Sequence, residues 1–463
     1  MAFVFVLMAF CLFIFAPAGY SLSFCLVCAV MYIVLASLTL SREVKDKTYF
    51  SFNLLFWLSM FCTTFIVPLF VLPLGLRSGL DDQANKCTAM VVLAMSIYFL
   101  AWQRAYNKKL VPGSETKRSI FVPRKVLSVM RVFTILVTIL YFYQYAMFMR
   151  TSTIYDNDIG LGFTYTLIQA ILCSSLVVSC IYHRGTTKSL VSFLGDNGVV
   201  LVCYAIIIIT SIIVGDRTMP IYLSICILSS YIIYVRKLNL VMQWGLIIVA
   251  AAVMVTIGKT RHSDDNFREG GAGSIASTTI QTIGSAENTV DLFSDFLPAT
   301  SALYACSDWR DRNNGQLFYP LKILKTPFAP LPYVPTLISR YFFGVENDEL
   351  SSASLTTSYF SQYVMQINGG LGTHAVGDIY VSWGLVGIFV FFYLLGLVLG
   401  TAQRRVYDNV FWALTYIALL CNALYIPRAS IFDNYRAIIF EFFFIWLAGI
   451  FAGNPVKTII EKK

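Results

Sequence analysis

Apolar residues occur along most of the chain in runs that are long enough to cross a membrane as helices. A transmembrane helix needs about 20 mostly apolar residues, and a helix satisfies its own backbone hydrogen bonds in lipid. Short polar stretches separate these runs, and only one of the stretches is long. The pattern predicts twelve transmembrane helices, near residues 3–19, 22–40, 50–75, 87–102, 126–148, 161–182, 199–214, 218–235, 241–258, 380–400, 410–426 and 436–452.

The composition agrees with this pattern. Hydrophobic residues make up 57% of the 463 residues and charged residues 13%, whereas about 25% are charged in a soluble domain. A water-soluble protein of this composition would expose large apolar patches. We therefore exclude a cytosolic enzyme, a nucleic-acid-binding domain and a disordered chain, and predict an all-α, polytopic membrane protein.

The basic residues predict the orientation of the helices. If the N-terminus is cytoplasmic, the loops and tail on the inner side hold 19 Lys and Arg, and the short outer loops hold 6. Basic residues favour the cytoplasmic side of short loops. This asymmetry places both termini inside, and it explains the net charge of +9 without a nucleic-acid partner.

One connection is much longer than the others. It runs over residues 259–379 on the predicted outer side, and loops of this length usually have a function. The chain is thereby divided into nine helices in residues 1–258, the loop, and three helices with a short tail in residues 380–463.

Two parts of the long loop have a distinctive composition. Residues 287–306 predict an amphipathic helix with a break near Pro298. Residues 320–335 contain five prolines among apolar residues and two lysines, which rules out a long helix. The apolar residues and the lysines predict that this second part lies at the membrane surface.

Cationic side chains recur at the outer ends of the predicted helices. Arg217 lies in the short turn Gly215-Asp216-Arg217, Lys259 and Arg261 follow the ninth helix, and Arg428 and Arg436 flank the last turn. Arginine binds phosphate with two parallel hydrogen bonds, and helix N-termini favour anions. If the helices converge, we expect these five residues to bind a diphosphate at the depth of the lipid headgroups.

Two further candidate residues come just before the tenth predicted helix. His374 and Asp378 are four residues apart, so they share one face if the segment is helical. Either side chain could take a proton from a sugar hydroxyl. For Asp378 the alternative is a structural role at the helix start. Gly384, Gly387 and Gly396 predict close helix packing.

No metal ion or cofactor is expected. Of the eleven cysteines, all except Cys306 lie in or beside the apolar runs, and we interpret them as packing residues. Positive side chains can neutralise a diphosphate leaving group, which is the role that a metal ion would otherwise have.

Several of these segments resemble one known family. The string GDIYVSWGLVGIFVFFYLLG at 377–396, the turn at 215–217, GKTR at 258–261 and PRASIFDNYR at 427–436 are similar to the pattern of bacterial O-antigen polymerases of the Wzy type. The twelve predicted helices and the position of the long loop add to the resemblance. Related O-antigen ligases belong to the same superfamily.

The resemblance implies a GT-C-like fold in the bacterial inner membrane, with the long loop and the active site on the periplasmic side. It implies an enzyme that polymerises oligosaccharide repeat units linked to undecaprenyl diphosphate. By this resemblance Arg217 is also catalytic, and it binds the donor diphosphate together with Arg261. Arg428 and Arg436 complete that site, and Asp378 and His374 match acidic and histidine positions of the superfamily. Membrane lipids and a chain-length regulator protein are the further partners implied.

The reaction expected from this resemblance is metal-independent glycosyl transfer with inversion. Two alternatives remain open. His374 favours an O-antigen ligase or a related transferase of lipid-linked glycans, whereas the GDIY string favours the polymerase. A flippase for the same lipids would need cations lining a path through the membrane. The predicted helices are nearly free of charged residues in their middle, which argues against a flippase; Glu441, in the first turns of the last helix, is the clearest exception.

Overall fold

The structure is a computed structural model, and it describes most of the chain outside the first part of the long loop. The described residues are 2–45, 49–75, 80–108, 117–151, 161–187, 189–214, 216, 218–236, 238, 242–243, 245, 297–328, 331, 333–346, 349–363, 372–429 and 434–461.

The described part of the chain is almost entirely helical, as the sequence predicts. In these apolar segments the helical hydrogen bonds pair the backbone N–H and C=O groups, which lipid could not solvate. The α-helices, numbered here in chain order, are α1 (Ala2–Ile14), α2 (Leu22–Lys45), α3 (Phe52–Ile66), α4 (Ala84–Tyr106), α5 (Arg124–Thr151), α6 (Leu161–Tyr182), α7 (Leu190–Asp196), α8 (Gly198–Val214), α9 (Thr218–Tyr234), α10 (Leu297–Arg312), α11 (Val334–Ile338), α12 (Ser352–Tyr363), α13 (Ala375–Arg405), α14 (Val410–Asn422) and α15 (Asn434–Ala452).

The predicted spans correspond to these helices with changes at their ends. In the described part, six helices are long and apolar enough to cross a membrane, and α7 with α8, bent by 88°, would make a seventh. Helices α1, α9 and α14 are apolar but shorter. The ninth predicted span, 241–258, lies almost wholly outside the described residues. The tenth helix begins at Ala375 rather than at residue 380.

Helix α4 lies at the centre of one half of the bundle and packs against α1, α2 and α13. The backbones of α4 and α13 lie close together because α13 has glycine residues at the contact. A Cβ atom on Gly396 would lie 2.4 Å from the carbonyl oxygen of Tyr98, and one on Gly400 would lie 2.8 Å from that of Trp102. The predicted close packing at Gly396 is confirmed, and Gly396 and Gly400 form a small-xxx-small pair.

The other half of the bundle contains α5, α6, α8, α9, α14 and α15, which pack against one another in several pairs. Short polar side chains connect these helices. The Thr134 hydroxyl donates to the Ser175 hydroxyl over 2.6 Å, and the Tyr141 and Ser211 hydroxyls are hydrogen-bonded at 2.6 Å. Such bonds satisfy polar groups that lipid cannot solvate.

The long loop contains ordered elements over its second part. Helix α10 begins at Leu297, so Pro298 is its second residue; residues 287–296, on the other side of the predicted break, lie outside the described part. Proline is well accommodated in a first helical turn. Residues Pro320–Phe328, called here the proline segment, form a 3-10 helix. Several large apolar side chains follow and are exposed, with Tyr341 and Phe342 each 80% accessible.

The β-structure among the described residues is one small antiparallel ribbon. Strand β1 (Lys117–Phe121) pairs with β2 (Lys457–Glu461), with Lys117 opposite Glu461. The ribbon joins the end of the chain to the connection between α4 and α5.

Candidate functional site

His374 and Asp378 lie together where α13 begins. His374 is the N-cap residue, and its Nδ1 accepts a hydrogen bond from the backbone N–H of Val376 at 3.2 Å. A ring nitrogen that accepts carries no proton, so Nε2 carries the proton and faces the Thr64 hydroxyl at 3.4 Å. Both side chains, His374 and Asp378, are fully buried.

Burial determines the charge of His374. Because the ring is removed from water, burial lowers its pKa to about 3. The ring is therefore neutral at physiological pH, and both of its nitrogens face hydrogen-bonding partners. This geometry is that of a helix cap.

Asp378 has a different partner, and that partner comes from the long loop. The Lys322 ammonium lies 2.7 Å from Oδ1 of Asp378, and the two side chains are 6% and 0% exposed. Lys322 belongs to the proline segment, which thus covers the beginning of α13. A buried ion pair of this kind is costly to break by removing one partner, at about 3–5 kcal/mol.

A kink in α13 allows the loop to dock beside this pair. Gly384 has φ of +65° and ψ of −155°, a conformation that interrupts the helical hydrogen bonds. Two carbonyl groups near the kink bond to the loop. The Tyr380 carbonyl accepts from Nη1 of Arg310 at 2.9 Å, and the Val381 carbonyl accepts from the N–H of Phe318 at 2.9 Å.

Arg310 occupies the space that a side chain at Gly384 would need. A Cβ atom there would lie 2.6 Å from the guanidinium nitrogens of Arg310. The same guanidinium lies over the Tyr380 ring, 4.4 Å from its centroid. Glycine at position 384 is thus required both by its backbone angles and by Arg310.

One ion pair and one hydrogen bond connect α10 to α4 and α12, and a second ion pair lies within α10. Lys86, from α4, lies 2.5 Å from Asp311. Asp308 pairs with Arg312 at 2.8 Å and accepts from the Tyr359 hydroxyl at 2.5 Å. Helix α10 also meets α13 closely, because a Cβ on Gly377 would lie 3.3 Å from Sγ of the buried Cys306.

Half-buried aromatic rings lie next to Lys322. The Lys322 ammonium is 5.4 Å from the centroid of the Phe318 ring. Phe318 makes edge contacts with Trp309 at 5.8 Å and with Tyr319 at 4.9 Å, and Tyr319 contacts Phe343 at 6.2 Å. We call these four rings the aromatic cluster.

Two of the five predicted diphosphate-binding residues are described. Arg428 is exposed and ends a short 3-10 turn that contacts α13; its carbonyl would lie 3.9 Å from a Cβ at Gly372. Arg436 is half-buried in the first turn of α15, and α15 contacts the proline segment. Arg217, Lys259 and Arg261 lie outside the described residues.

Sequence reasoning did not find the cations that the structure brings to Asp378 and to the kink. For Lys322 the sequence offered one indication, because a lysine among apolar residues and prolines is unusual. Arg310 and Lys86 had none, because their partners on α13 and α10 are distant in sequence.

Among the described residues, one group offers the geometry of a metal site. The sulfur atoms of Cys173, Cys226 and Cys421 lie within 4.8 Å of one another and are fully buried. Thiolates of this number can hold a soft metal ion. These residues come from α6, α9 and α14, three helices that pack against one another.

The fold and the site together define a multi-pass helical membrane protein with a buried acid–base pair at one end of its bundle, covered by a long connection. The family model described as O-antigen polysaccharide polymerase Wzy matches residues 1–454. The chain belongs to this family, as its sequence motifs indicated. No curated protein and no solved structure matches the chain.

Membership makes the protein an O-antigen polymerase, a glycosyltransferase-type enzyme of polysaccharide biosynthesis. The family acts on lipid-linked oligosaccharide repeat units. The apolar helices and the family together make it a membrane protein.

Proposed function

We propose that this polymerase joins repeat units carried on undecaprenyl diphosphate, at the periplasmic face of the bacterial inner membrane, with both termini cytoplasmic. The observation that carries the proposal is the buried Lys322–Asp378 pair at the predicted outer end of α13. The pair places a cation that can bind the diphosphate directly beside a carboxylate that can deprotonate the attacking hydroxyl.

In this proposal Lys322 exchanges one anion for another. Asp378 has no exposed surface in the present arrangement, so the proline segment moves aside when substrate binds. The donor diphosphate then takes the place of Asp378 as the partner of Lys322. Arg428 and Arg436 lie on elements next to this segment and to α13, and they complete the diphosphate site with Arg217, Lys259 and Arg261.

Asp378, once released from Lys322, is the general base. It takes the proton of the acceptor sugar hydroxyl as the oxygen attacks the anomeric carbon of the donor. The bond from that carbon to the diphosphate oxygen breaks, and undecaprenyl diphosphate leaves with the bonding electrons. A single displacement of this kind inverts the anomeric configuration, and the cations stabilise the charge of the leaving group.

His374 is a positioning residue in this scheme. Its hydrogen bond to the N–H of Val376 fixes the start of α13 and thereby the direction of Asp378. The aromatic cluster supplies rings on which sugars can stack, and it lies beside Lys322, where a glycan attached to the diphosphate would pass.

The direct test uses the lipopolysaccharide ladder of a polymerase-deletion strain complemented with variants. We expect Lys322→Gln to leave a single repeat unit on the lipid core, because the diphosphate loses its cation. The matched control is Lys325→Gln in the same segment, which should give a normal ladder. A normal ladder from Lys322→Gln at equal membrane content would contradict the proposal.

An exchanged pair separates catalysis from folding. Lys322→Asp combined with Asp378→Lys keeps an ion pair between the two positions, so the protein should remain in the membrane at normal level. We expect no polymer, since the base and the cation are now on the wrong elements. Restored polymer would show that the pair only holds the loop in place.

A further inference from the structure

The opposite end of α13 carries a second polar feature, independent of the proposed chemistry. A cavity of about 460 Å³ lies between the ends of α4 and α13. Four cationic side chains line it, and no acidic residue does. We call it the basic pocket; its cations are Arg104, Lys108, Arg404 and Arg405.

A second cavity adjoins the basic pocket and is almost purely apolar. It has a volume of about 450 Å³ and lies between α1, α4 and α13, where Phe3, Leu100 and Leu394 are among its lining residues. Tyr393 lines both cavities. Its hydroxyl accepts a hydrogen bond from Nη1 of Arg104 at 3.1 Å. We call this second cavity the apolar groove.

Along α4 and α13 the apolar groove comes first and the basic pocket follows at the helix ends. A phospholipid has the same arrangement, with acyl chains inside the membrane and a charged headgroup at its surface. Leu100 and Arg104 are one turn apart on α4, and Leu394 and Arg405 follow the same order on α13. The groove therefore lies on the membrane side of the basic pocket. An edge contact between the rings of Phe10 and Phe389, at 6.3 Å, lies next to the groove on its other side.

We propose that these cavities bind one anionic glycerophospholipid, with its phosphodiester headgroup in the basic pocket and an acyl chain in the apolar groove. Charge complementarity carries the choice of occupant, because four cations converge without a lining carboxylate. Basic pockets between transmembrane helices on the cytoplasmic side bind such headgroups. The basic residues of the chain predict that this end is cytoplasmic.

Two neighbouring groups interact with Arg404 of the basic pocket. Asp408 is the carboxylate that acts on Arg404, and it follows the end of α13 without lining the cavity. Arg404 also donates to the carbonyl of Lys108, which joins the ends of the two helices. A headgroup phosphate would therefore connect α4 and α13 at the end opposite Asp378.

The test measures lipid binding to the full-length protein in detergent by native mass spectrometry, together with the rise in Tm on adding lipid. Cardiolipin and phosphatidylglycerol should bind and raise Tm, whereas phosphatidylethanolamine should not. The double variant Arg104→Gln, Arg405→Gln should bind cardiolipin about tenfold more weakly. The matched control is Arg124→Gln, Lys125→Gln, which removes two exposed charges from the first turn of α5 and should bind normally.

A third variant tests the apolar groove without changing charge. Leu394→Trp fills part of the groove and should also weaken lipid binding. Equal losses in the two charge variants would overturn the proposal, since any surface charge would then suffice. Binding of inorganic phosphate that raises Tm as much as cardiolipin does would also overturn it, because the groove would have no role.

Discussion

Lys322 and Asp378 are buried against each other, and their burial has a desolvation free energy that neither side chain would have at the surface. Removing two charges from water is expensive, and the attraction between them compensates only when the geometry is close. The 2.7 Å contact between Lys322 and Asp378 meets that requirement. An incoming diphosphate can replace the carboxylate because it carries more charge.

The pH dependence of stability tests the role of His374. An unfolded histidine takes up a proton near pH 6.5, whereas the buried ring resists it until about pH 3. The unfolded state therefore binds more protons below pH 6.5. Stability should fall between these values by about 1.4 kcal/mol per pH unit, seen as a falling Tm in detergent.

The variant His374→Asn isolates this effect, because asparagine can still accept from the N–H of Val376 as an N-cap. We expect its Tm to depend less on pH in this range. An unchanged slope in His374→Asn would show that protonation of His374 is not what destabilises the folded protein at low pH.

Gly384 is the residue on which the docking of the loop depends. We expect Gly384→Ala to lower Tm and to abolish polymer, since its Cβ collides with Arg310 and its φ of +65° is unfavourable for alanine, at a cost of about 1–3 kcal/mol. Gly453→Ala is the matched control, with φ of +64° and nothing within 4 Å. Equal drops in Tm would show that backbone angle alone accounts for the effect.

At the level of residues, the sequence identified the site residues at the start of α13 but not the residues that contact them. Asp378 and His374 could be singled out because they stand just before a long apolar run. Their partners could not be found, because Lys322 and Thr64 reach them through tertiary packing that leaves no periodic signal. Arg310 illustrates the same limit, since its acceptor is a carbonyl released by an unpredicted kink.

At the scale of elements, hydropathy located the helices well and their ends less well. The end of a helix depends on capping and on contacts, and His374 caps α13 within the stretch assigned to the loop. The bend of 88° between α7 and α8 also had no hydropathy signal. The ordered second part of the long loop depends on its contacts with α13, which composition does not encode.

The interface between α4 and α13 provides a test at this scale. Gly396→Ala should separate the two helices, because its Cβ would lie 2.4 Å from the Tyr98 carbonyl. We expect a lower Tm and less protein in the membrane. Gly195→Ala in α7, with nothing within 4 Å, should be neutral or slightly stabilising. A stabilising Gly396→Ala would contradict this packing.

At the scale of the whole molecule, the two ends of the bundle differ in chemistry. One end has the buried acid–base pair under the long loop, and the other has the cations of the basic pocket, which are exposed at the end of α4 and half-buried at the end of α13. The excess of basic residues on one side predicts which end faces the cytoplasm.

Epitope tags in the full-length chain test this orientation. A tag inserted after Gly315, in the turn that follows α10, should bind antibody in intact spheroplasts. A tag after Lys463 should bind only after the membrane is permeabilised. The opposite pattern would place Asp378 in the cytoplasm and contradict the periplasmic site.

The most direct measurement is polymerisation by the purified protein in proteoliposomes, with undecaprenyl-diphosphate-linked repeat units isolated from a polymerase-deficient strain. The parent protein and Asp408→Asn, altered just beyond the other end of α13, should both form a ladder of products. Asp378→Asn should form none while keeping the elution profile of the folded protein. A ladder from Asp378→Asn at the parent rate would show that this carboxylate is not the base.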